Sequence, residues 1–468
     1  MIRTVSGRAT PAAGDPDAYQ RAVADLRAAY LAADPARPVR LAKATSNLFR
    51  RRTPGRCTEL DVAAFSGVIA VDPVARTADV GAMTTYEDLV EVTLRYGLMP
   101  LVVPELKTIT LGGALTGLGI ESSSWRNGMP HESVLELDVL TGDGQVVTAT
   151  PDGEHAELFF GFPNSYGTLG YALRARIELE AVQPWVHLRH LRFPSPERLV
   201  ETLSAVVASG AHDGEDVAFV DGTVFSPGEC YLSLGSWAST PPPTTSDYTA
   251  EEIYYRSIPA RSEDWLTVRD YLWRWDTDWF WCSRAFGVQR RWVRRLLGRR
   301  WLRSDTYWRI LSLEQRSGVK ARLDRWRGQP ARESVVQDVE IPAGRLGEFL
   351  ADFAAAVPIA PVWLCPLRQR DPSRRWPLYP LDPAELYVNV GFWSTCALAP
   401  GMDPHHHNRW VEAEVDRLGG RKSLYSTSFY SPEQFWGHYN GAAYAALKAR
   451  YDPGHRLLDL YQKCVEGR

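Results

Sequence analysis

The chain has 468 residues, of which 45% are hydrophobic and 23% charged, with a net charge of −3. At roughly 150 residues per domain, that allows about three domains or two large ones. It excludes a disordered, collagenous or disulfide-stapled chain, and the near-neutral charge advertises no nucleic-acid partner.

No stretch approaches the ~20 apolar residues of a membrane-spanning helix. The N-terminus, MIRTVSGRATPAAGDPDAYQ, lacks the apolar centre of a secretory signal. Six cysteines, at 57, 230, 282, 365, 396 and 464, follow no CxxC or zinc spacing, which reads as buried reduced thiols in a cytoplasmic protein. His405, His406 and His407 are adjacent on a loop bounded by Pro404 and Asn408. Three neighbours on one segment do not converge on one ion, so no metal is expected.

Residues 1–183 read as α+β with many short strands. DAYQRAVADLRAAYLAAD (17–34) spaces its apolar residues as a helix and stops at Asp34-Pro35. VRLAKA (39–44) is a strand, and 67–82 is a hairpin turning at Asp72-Pro73. A helix over 85–97 closes on Gly97. A second hairpin over 133–150 turns at Asp143-Gly144, and 169–182 is a last strand. Between Pro184 and about 420 the chain is richer in aromatics, Arg and Pro and forms a second unit, with helices expected over 262–281 and 289–302. ESVVQDVEIPAG and PVWLCPL are expected as strands of a separate sheet. Residues 421–468 close the chain with LYSTSFY and a helix over PEQFWGHYNGAAYAALKARY.

The chemistry is concentrated in VPELKTITLGGALTGLGIESSSWRNGMPHE (103–132), with Gly112, Gly113, Gly117 and Gly119 followed by three serines. Glycines let a backbone approach a ligand closely, and Ser and Thr hydroxyls add uncharged donors. The pattern is neither GxGxxG between strand and helix nor GxxxxGK[ST], which disfavours a Rossmann dinucleotide site and an ATPase. By composition alone, such a stretch reads as an ordinary loop.

The order of elements tips that balance. P-E-x-x-x-I-T-x-G-G-x-x-x-G-x-G, a hairpin, then F-x-x-x-x-x-S-x-G-T-L-G and a strand resembles the vanillyl-alcohol-oxidase-type (PCMH-type) FAD-binding domain. PEL, TLGG and GIESSS are similar to the delta-24 sterol side-chain reductases, as are VWLCP (362–366), AELYVNVG (384–391), LYSTSFYSPEQFW (424–436) and LYQKC (460–464). The resemblance runs from about residue 39 onward. It also takes in an actinobacterial branch that saturates a 10-methylene acyl chain to a 10-methyl one. The Ala/Arg/Trp-rich composition and the lack of the sterol enzymes' N-terminal anchor suit that branch better.

The fold implied is α+β. A PCMH-type FAD-binding domain (1–183) has subdomains at about 1–55 and 56–183. A substrate or cap domain covers 184–420, and the C-terminal segment 421–468 returns to the flavin. The resemblance puts Ala44, Thr45, Ser46, Asn47 and Leu48 on one side of the pyrophosphate. Pro104, Glu105, Thr110, Leu111, Gly112, Gly113, Gly117, Ile120, Glu121, Ser122 and Ser123 would line the other side and the isoalloxazine edge, with Tyr171 and Tyr425 beside the flavin. The first loop, KATSNLF, has no His or Cys, so non-covalent FAD is expected. His131, the imidazole nearest these residues, reads as a surface or cap residue.

The reaction implied is reduction of an isolated C=C bond in a lipid chain, with NADPH as electron donor. Such an alkene has no carbonyl to take up charge, so a proton must accompany the hydride. Glu121 is the first candidate donor, because a carboxyl among apolar neighbours keeps its proton; a hydrogen-bond or cap role at the Ser122–Ser124 turn is the competing reading. Tyr425 is the second, against simple flavin packing. The acyl branch adds a methyltransferase partner that supplies the substrate. The alternatives are a sterol-type side-chain reductase, an FAD-dependent alcohol or sugar oxidase or dehydrogenase, and a non-catalytic lipid-binding protein.

From Tyr271 to Ile310 there are ten Arg and seven Trp but three acidic residues. In QRRWVRRLLGRRWL, Trp292, Val293, Leu296 and Leu297 share a helical face, with Arg290, Arg291, Arg294 and Arg295 on its flanks. That pattern suits a helix lying on an anionic membrane, hence a peripheral protein on the inner face. A core stripe with snorkelling Arg is the alternative.

Overall fold

The computed structural model describes residues 16–43, 49–50, 57–317 and 329–468. It is built on two large sheets. Helix α1 (Pro16–Ala32) precedes a parallel pair, β1 (Val39–Ala42) with β2 (Thr58–Asp61), which bridges the expected 55/56 junction. The first large sheet runs β3 (Val68–Asp72), β4 (Thr77–Gly81), β8 (Gly170–Ala181), β6 (Val134–Thr141) and β7 (Val146–Ala149), with β5 (Leu98–Pro100) paired to the far end of β8. Its turns form where local chemistry sets them. Asp72 Oδ1 accepts from the Val74 and Ala75 amides at 2.9 Å, and Gly144 takes φ 81 in the β6–β7 turn. Helix α2 (Tyr86–Thr93) is capped by Thr85 and is followed by a 3₁₀ turn that ends at Gly97, φ 68.

Three of the four glycines, Gly112, Gly113 and Gly117, lie in a helix rather than a loop. Thr110 accepts from the Gly113 amide and starts α3 (Leu111–Gly117), and a further turn forms at α4 (Ser124–Asn127). After α5 (Ala156–Gly161) the chain passes into the second sheet through β9 (Trp185–Phe193). Then come α6 (Pro196–Ser209), the small hairpin β10 (Ala211–His212) and β11 (Glu215–Asp216), β12 (Phe219–Ser226) and β13 (Glu229–Ala238). Next are α7 (Tyr254–Ser257), β14 (Glu263–Thr267), α8 (Val268–Leu272), α9 (Arg291–Trp301), α10 (Ser304–Ser317) and β15 (Arg332–Pro342). The chain closes its sheet with α11 (Leu346–Ala356), β16 (Val362–Leu367), β17 (Tyr387–Ala397), α12 (His406–Arg417) and β18 (Arg421–Lys422). The strand order is β14-β9-β13-β12-β16-β17-β15-β18.

Period-two alternation divides this sheet's faces. Val220, Leu232, Val339, Leu364, Val388 and Val390 join α6, α11 and α12 in one apolar layer. The other face looks toward the first sheet, and Trp363, Cys365 and Tyr387 enter a core shared with it.

Three expectations fail here. Residues 262–281 are not one helix: β14 pairs with β9, α8 lasts five residues, and the chain then turns through Trp279 and Phe280 at φ 45 and 60. Tyr271 to Trp281 is aromatic on every side and almost wholly buried, so it offers no solvated face for a surface helix. The C-terminal helix is two, α13 (Pro432–His438) and α14 (Gly441–Tyr451), because Asn440 takes φ 50 and caps the second one. A short α15 (Leu460–Cys464) ends the chain. His131 is a core residue rather than a surface one: it is buried, its ring edge-on to Trp376 at 4.4 Å, and burial holds it down to about 3, hence neutral.

Candidate active site

The face of the second sheet that looks toward the first carries polar groups where an ordinary sandwich would bury valine. Asp221 stands on β12, Cys365 on β16, Asn389 on β17 and Glu340 on β15, all buried, with Asp338 half-buried beside Glu340 on β15. Buried polar groups require partners, and these partners form two clusters.

The first cluster joins the PEL and GIESSS segments to β12. Arg274 Nη1 lies 2.6 Å from Glu105 Oε1, and Nη2 lies 2.8 Å from Asp221 Oδ2; all three residues are buried. The guanidinium stacks on Tyr271, 4.0 Å from its ring centroid, and Tyr271 Oη meets Ser122 Oγ at 2.9 Å. Trp275 and Trp363 each point their indole N–H at Asp221 Oδ2, at 3.4 Å. Glu121 completes the group: its Oε1 accepts from the Glu105 amide at 3.1 Å, while Oε2 is buried with no hydrogen-bond partner among the described residues.

Two carboxyl groups share one guanidinium, and a third, Glu121, is held by the backbone of one of them; all are buried. Burial pushes Glu105 up to about 8 against the pull of Arg274. Burial, then the neighbouring Glu105, hold Glu121 well above the usual carboxylate range. Burial thus favours the protonated form of Glu121, whose one oxygen is anchored and whose other is buried without a hydrogen-bond partner among the described residues. Its side chain does not cap the serine turn. That turn is closed from the other direction, by Ser124 Oγ accepting from the Glu121 amide at 2.9 Å.

The second cluster contains Tyr425. Its hydroxyl accepts from Trp393 Nε1 at 2.9 Å and neighbours Asp338, which burial pushes up to about 6. Burial, then Asp338, raise Tyr425 itself well above an ordinary phenol. The Tyr425 carbonyl takes the Phe49 amide at 2.9 Å, and Phe49 stacks on Trp279. Aromatic rings link the clusters: Phe280 lies 4.4 Å from Trp393 and 5.4 Å from Trp363, centroid to centroid. Glu121 and Tyr425, the two candidate donors, thus belong to different acidic clusters joined by an aromatic wall.

The remaining candidates fall along α3 and the turn behind it. Lys43 Nζ donates to Thr110 Oγ1 at 3.1 Å. A Cβ on Gly113 would come 3.0 Å from Thr110 Oγ1 and 3.8 Å from Lys43 Nζ, and one on Gly117 would come 3.2 Å from the Tyr166 ring. Gly112 serves packing, since a Cβ there would meet Ala82 at 2.9 Å. On the turn that bonds to α3 through the Tyr166 amide and Thr116 carbonyl, Asn164 Oδ1 and Ser165 Oγ are buried without a hydrogen-bond partner among the described residues. Glycines packed closely against Thr110 and Tyr166 next to a lysine, with orphaned polar atoms on the turn bonded to α3, fit an extended anionic cofactor such as FAD. Leu111 and Pro104 are buried, Ser123 Oγ donates to the Leu101 carbonyl, and Ile120 packs on the core. Tyr171 ties β8 to β1 through the Val39 carbonyl at 2.8 Å and packs with Leu26 and Tyr30, away from both acidic clusters. Ala44 to Leu48 lie outside the described residues.

Arg274, Asp221 and Asp338 were not among the sequence candidates. One signal pointed to Arg274: a lone cation inside WRWDTDWFW must be either exposed or paired.

Comparison with known proteins bears on the fold and the cofactor class. Residues 18–150 match the family described as FAD binding domain. The delta(24)-sterol reductase of Arabidopsis thaliana is 25% identical over 448 residues, spanning 88% of this chain and 77% of that protein. The Homo sapiens delta(24)-sterol reductase is also 25% identical, over 86% of this chain and 75% of its own. Cytokinin dehydrogenase 6 of Oryza sativa is 38% identical, but over 115 residues, 24% of this chain. The chain is an α+β, PCMH-type FAD-binding oxidoreductase related to the delta(24)-sterol reductases.

Proposed function

We propose that this enzyme reduces an isolated carbon–carbon double bond in the side chain of an apolar lipid, with a delta(24)-sterol-type alkene as the leading substrate. The relatives' names support the sterol type over the acyl type that composition favoured. The observation that carries the chemistry is Glu121: a buried carboxyl, its pKa raised by burial, with one oxygen unpartnered among the described residues, in the cluster that the aromatic wall borders through Trp363.

FAD, non-covalently held and reduced by NADPH, supplies a hydride when bound. The protein's share is the proton and the shelter. Glu121 donates its proton to the less substituted alkene carbon, and positive charge develops on the more substituted one. Trp363, Phe280 and Trp393 present ring faces that stabilise this charge and keep water out. Arg274, fixed between Glu105 and Asp221, steadies the carboxylate that Glu121 becomes. Tyr425 closes the far end of the wall.

A second reading, a 10-methylene acyl chain as substrate, is favoured by a cation-lined cavity of about 560 Å³ bordered by Trp273 and Lys107, which suits a lipid with an anionic head. Anaerobic titration separates the two. The NADPH-reduced protein is mixed with a delta(24)-sterol or with a 10-methylene acyl lipid, and flavin reoxidation is followed by its spectrum. Reoxidation by either alkene with a saturated product is the expected result, and the better substrate names the class. A flavin bleached by an alcohol or sugar and untouched by both alkenes would sink the proposal.

Glu121→Gln should keep FAD and lose about 10²–10⁴-fold in the alkene half-reaction. Because the raised acid must stay protonated, the wild-type rate should hold through neutral pH and fall as pH rises past the Glu121 pKa, whereas the variant should show no such alkaline limb.

A further inference from the structure

The aromatic–basic stretch splits in two. Tyr271 to Trp281 is core, whereas α9 and the first turns of α10 carry the exposed large apolar residues of the stretch among the described residues. Trp292 and Leu296, one helical turn apart, are 65% and 80% exposed, and Trp301 and Ile310 are also exposed. Val293 and Leu297 are half-buried. Arg294 is no flank residue: it is buried, bonded to Asp278 at 2.7 Å and to the Ala250 and Glu252 carbonyls, and it pins the helix. A core stripe would bury Trp292 and Leu296, and here both face outward.

Beside this face opens the cavity of about 560 Å³. Lys107, Arg269, Arg299, Arg300, Arg303 and Arg309 line it, against Asp270 and Asp305. Glu87 holds Lys107 at 3.6 Å and Arg303 at 2.7 Å, Glu91 holds Arg269 at 2.6 Å, and Asp247 holds Arg299. These carboxylates balance much of the charge and fix the cations in place; Arg300 has no carboxylate partner among the described residues. Residues 289–302 hold six arginines, Arg299 and Arg300 among them, and no acid. Exposed Trp and Leu next to a ring of fixed cations is complementary to one kind of surface, the headgroup layer of an anionic bilayer.

We infer that α9 and α10 dock on an anionic phospholipid membrane, with Trp292, Leu296 and Trp301 in the headgroup boundary and a lipid phosphate in the cavity. Two lining residues, Trp273 and Lys107, stand one and two positions in sequence from Arg274 and Glu105 of the acidic cluster. A lipid held by its phosphate therefore lies at the margin of the site that contains Glu121. That last step rests on the reductase proposal; the docking does not.

The test is co-sedimentation of the FAD-loaded protein with vesicles of phosphatidylcholine alone or mixed with phosphatidylglycerol. Binding should require phosphatidylglycerol and weaken with salt. Arg300→Glu should lower partitioning about thirty-fold, two charge units at roughly five-fold each. Trp292→Ala with Leu296→Ala should lower it roughly tenfold or more. Retained FAD and an unchanged melting temperature mark the variants as folded, and the salt series gives the same reading on wild type if they are not. Equal binding to both vesicles, or wild-type binding by both variants, would overturn the inference. Vesicle binding without alkene turnover would remove the reductase reading and leave the docking surface standing; turnover without binding would do the reverse.

Discussion

Residues 271–281 and 291–301 both set tryptophan beside arginine, four Trp with one Arg in the first and two Trp with five Arg in the second, and they have opposite fates. The first is interior and supplies a wall of the candidate site; the second presents Trp292 and Leu296 to the outside. The difference lies in carboxylates contributed from elsewhere in the chain. Arg274 can be buried because Glu105 and Asp221 meet it from two other segments. On α9 only Arg294 has such a buried partner, Asp278, and only Arg294 is buried. A guanidinium cannot enter a protein interior alone, so the supply of acids decides which tryptophans become core.

That comparison can be broken by removing the cations one at a time and following urea unfolding. Arg274→Met leaves two carboxyl groups facing each other without a cation and should cost about 3–5 kcal/mol. Arg294→Met strands one carboxylate, Asp278, and should cost about 3 kcal/mol. At the exposed end, Arg300→Ala should stay within about 0.5 kcal/mol of wild type. Equal losses at all three positions would mean that burial of the arginines contributes nothing to the contrast.

Local signals made part of this molecule legible. Asp72-Pro73, Asp143-Gly144 and Gly97 marked turns that exist, and the alternation in ESVVQDVEIP marked β15. Glu121 was reachable because it lies within a recognisable run of residues. The Arg274–Asp221 pair was not, since 53 positions separate its members and no periodicity records such a contact. The expected helix over 262–281 failed because 263–267 pairs as a strand with β9 and 271–281 is buried on every side, leaving no solvated face. At 432–451 one asparagine outweighed an otherwise continuous helical pattern. Five of the named cofactor residues, 44–48, lie outside the described residues.

The chain's last residues reach back to its first hundred and seventy. The Tyr425 carbonyl receives the Phe49 amide, Lys448 Nζ donates to the Thr168 carbonyl at 2.7 Å, Lys463 Nζ to that of Tyr166 at 2.6 Å, and Arg50 contacts Cys464. During synthesis these partners emerge last. Residues 18–150, which match the FAD binding domain, are therefore made before the groups that hold Phe49, Tyr166 and Thr168, and these contacts close only once residues 425–464 have been added.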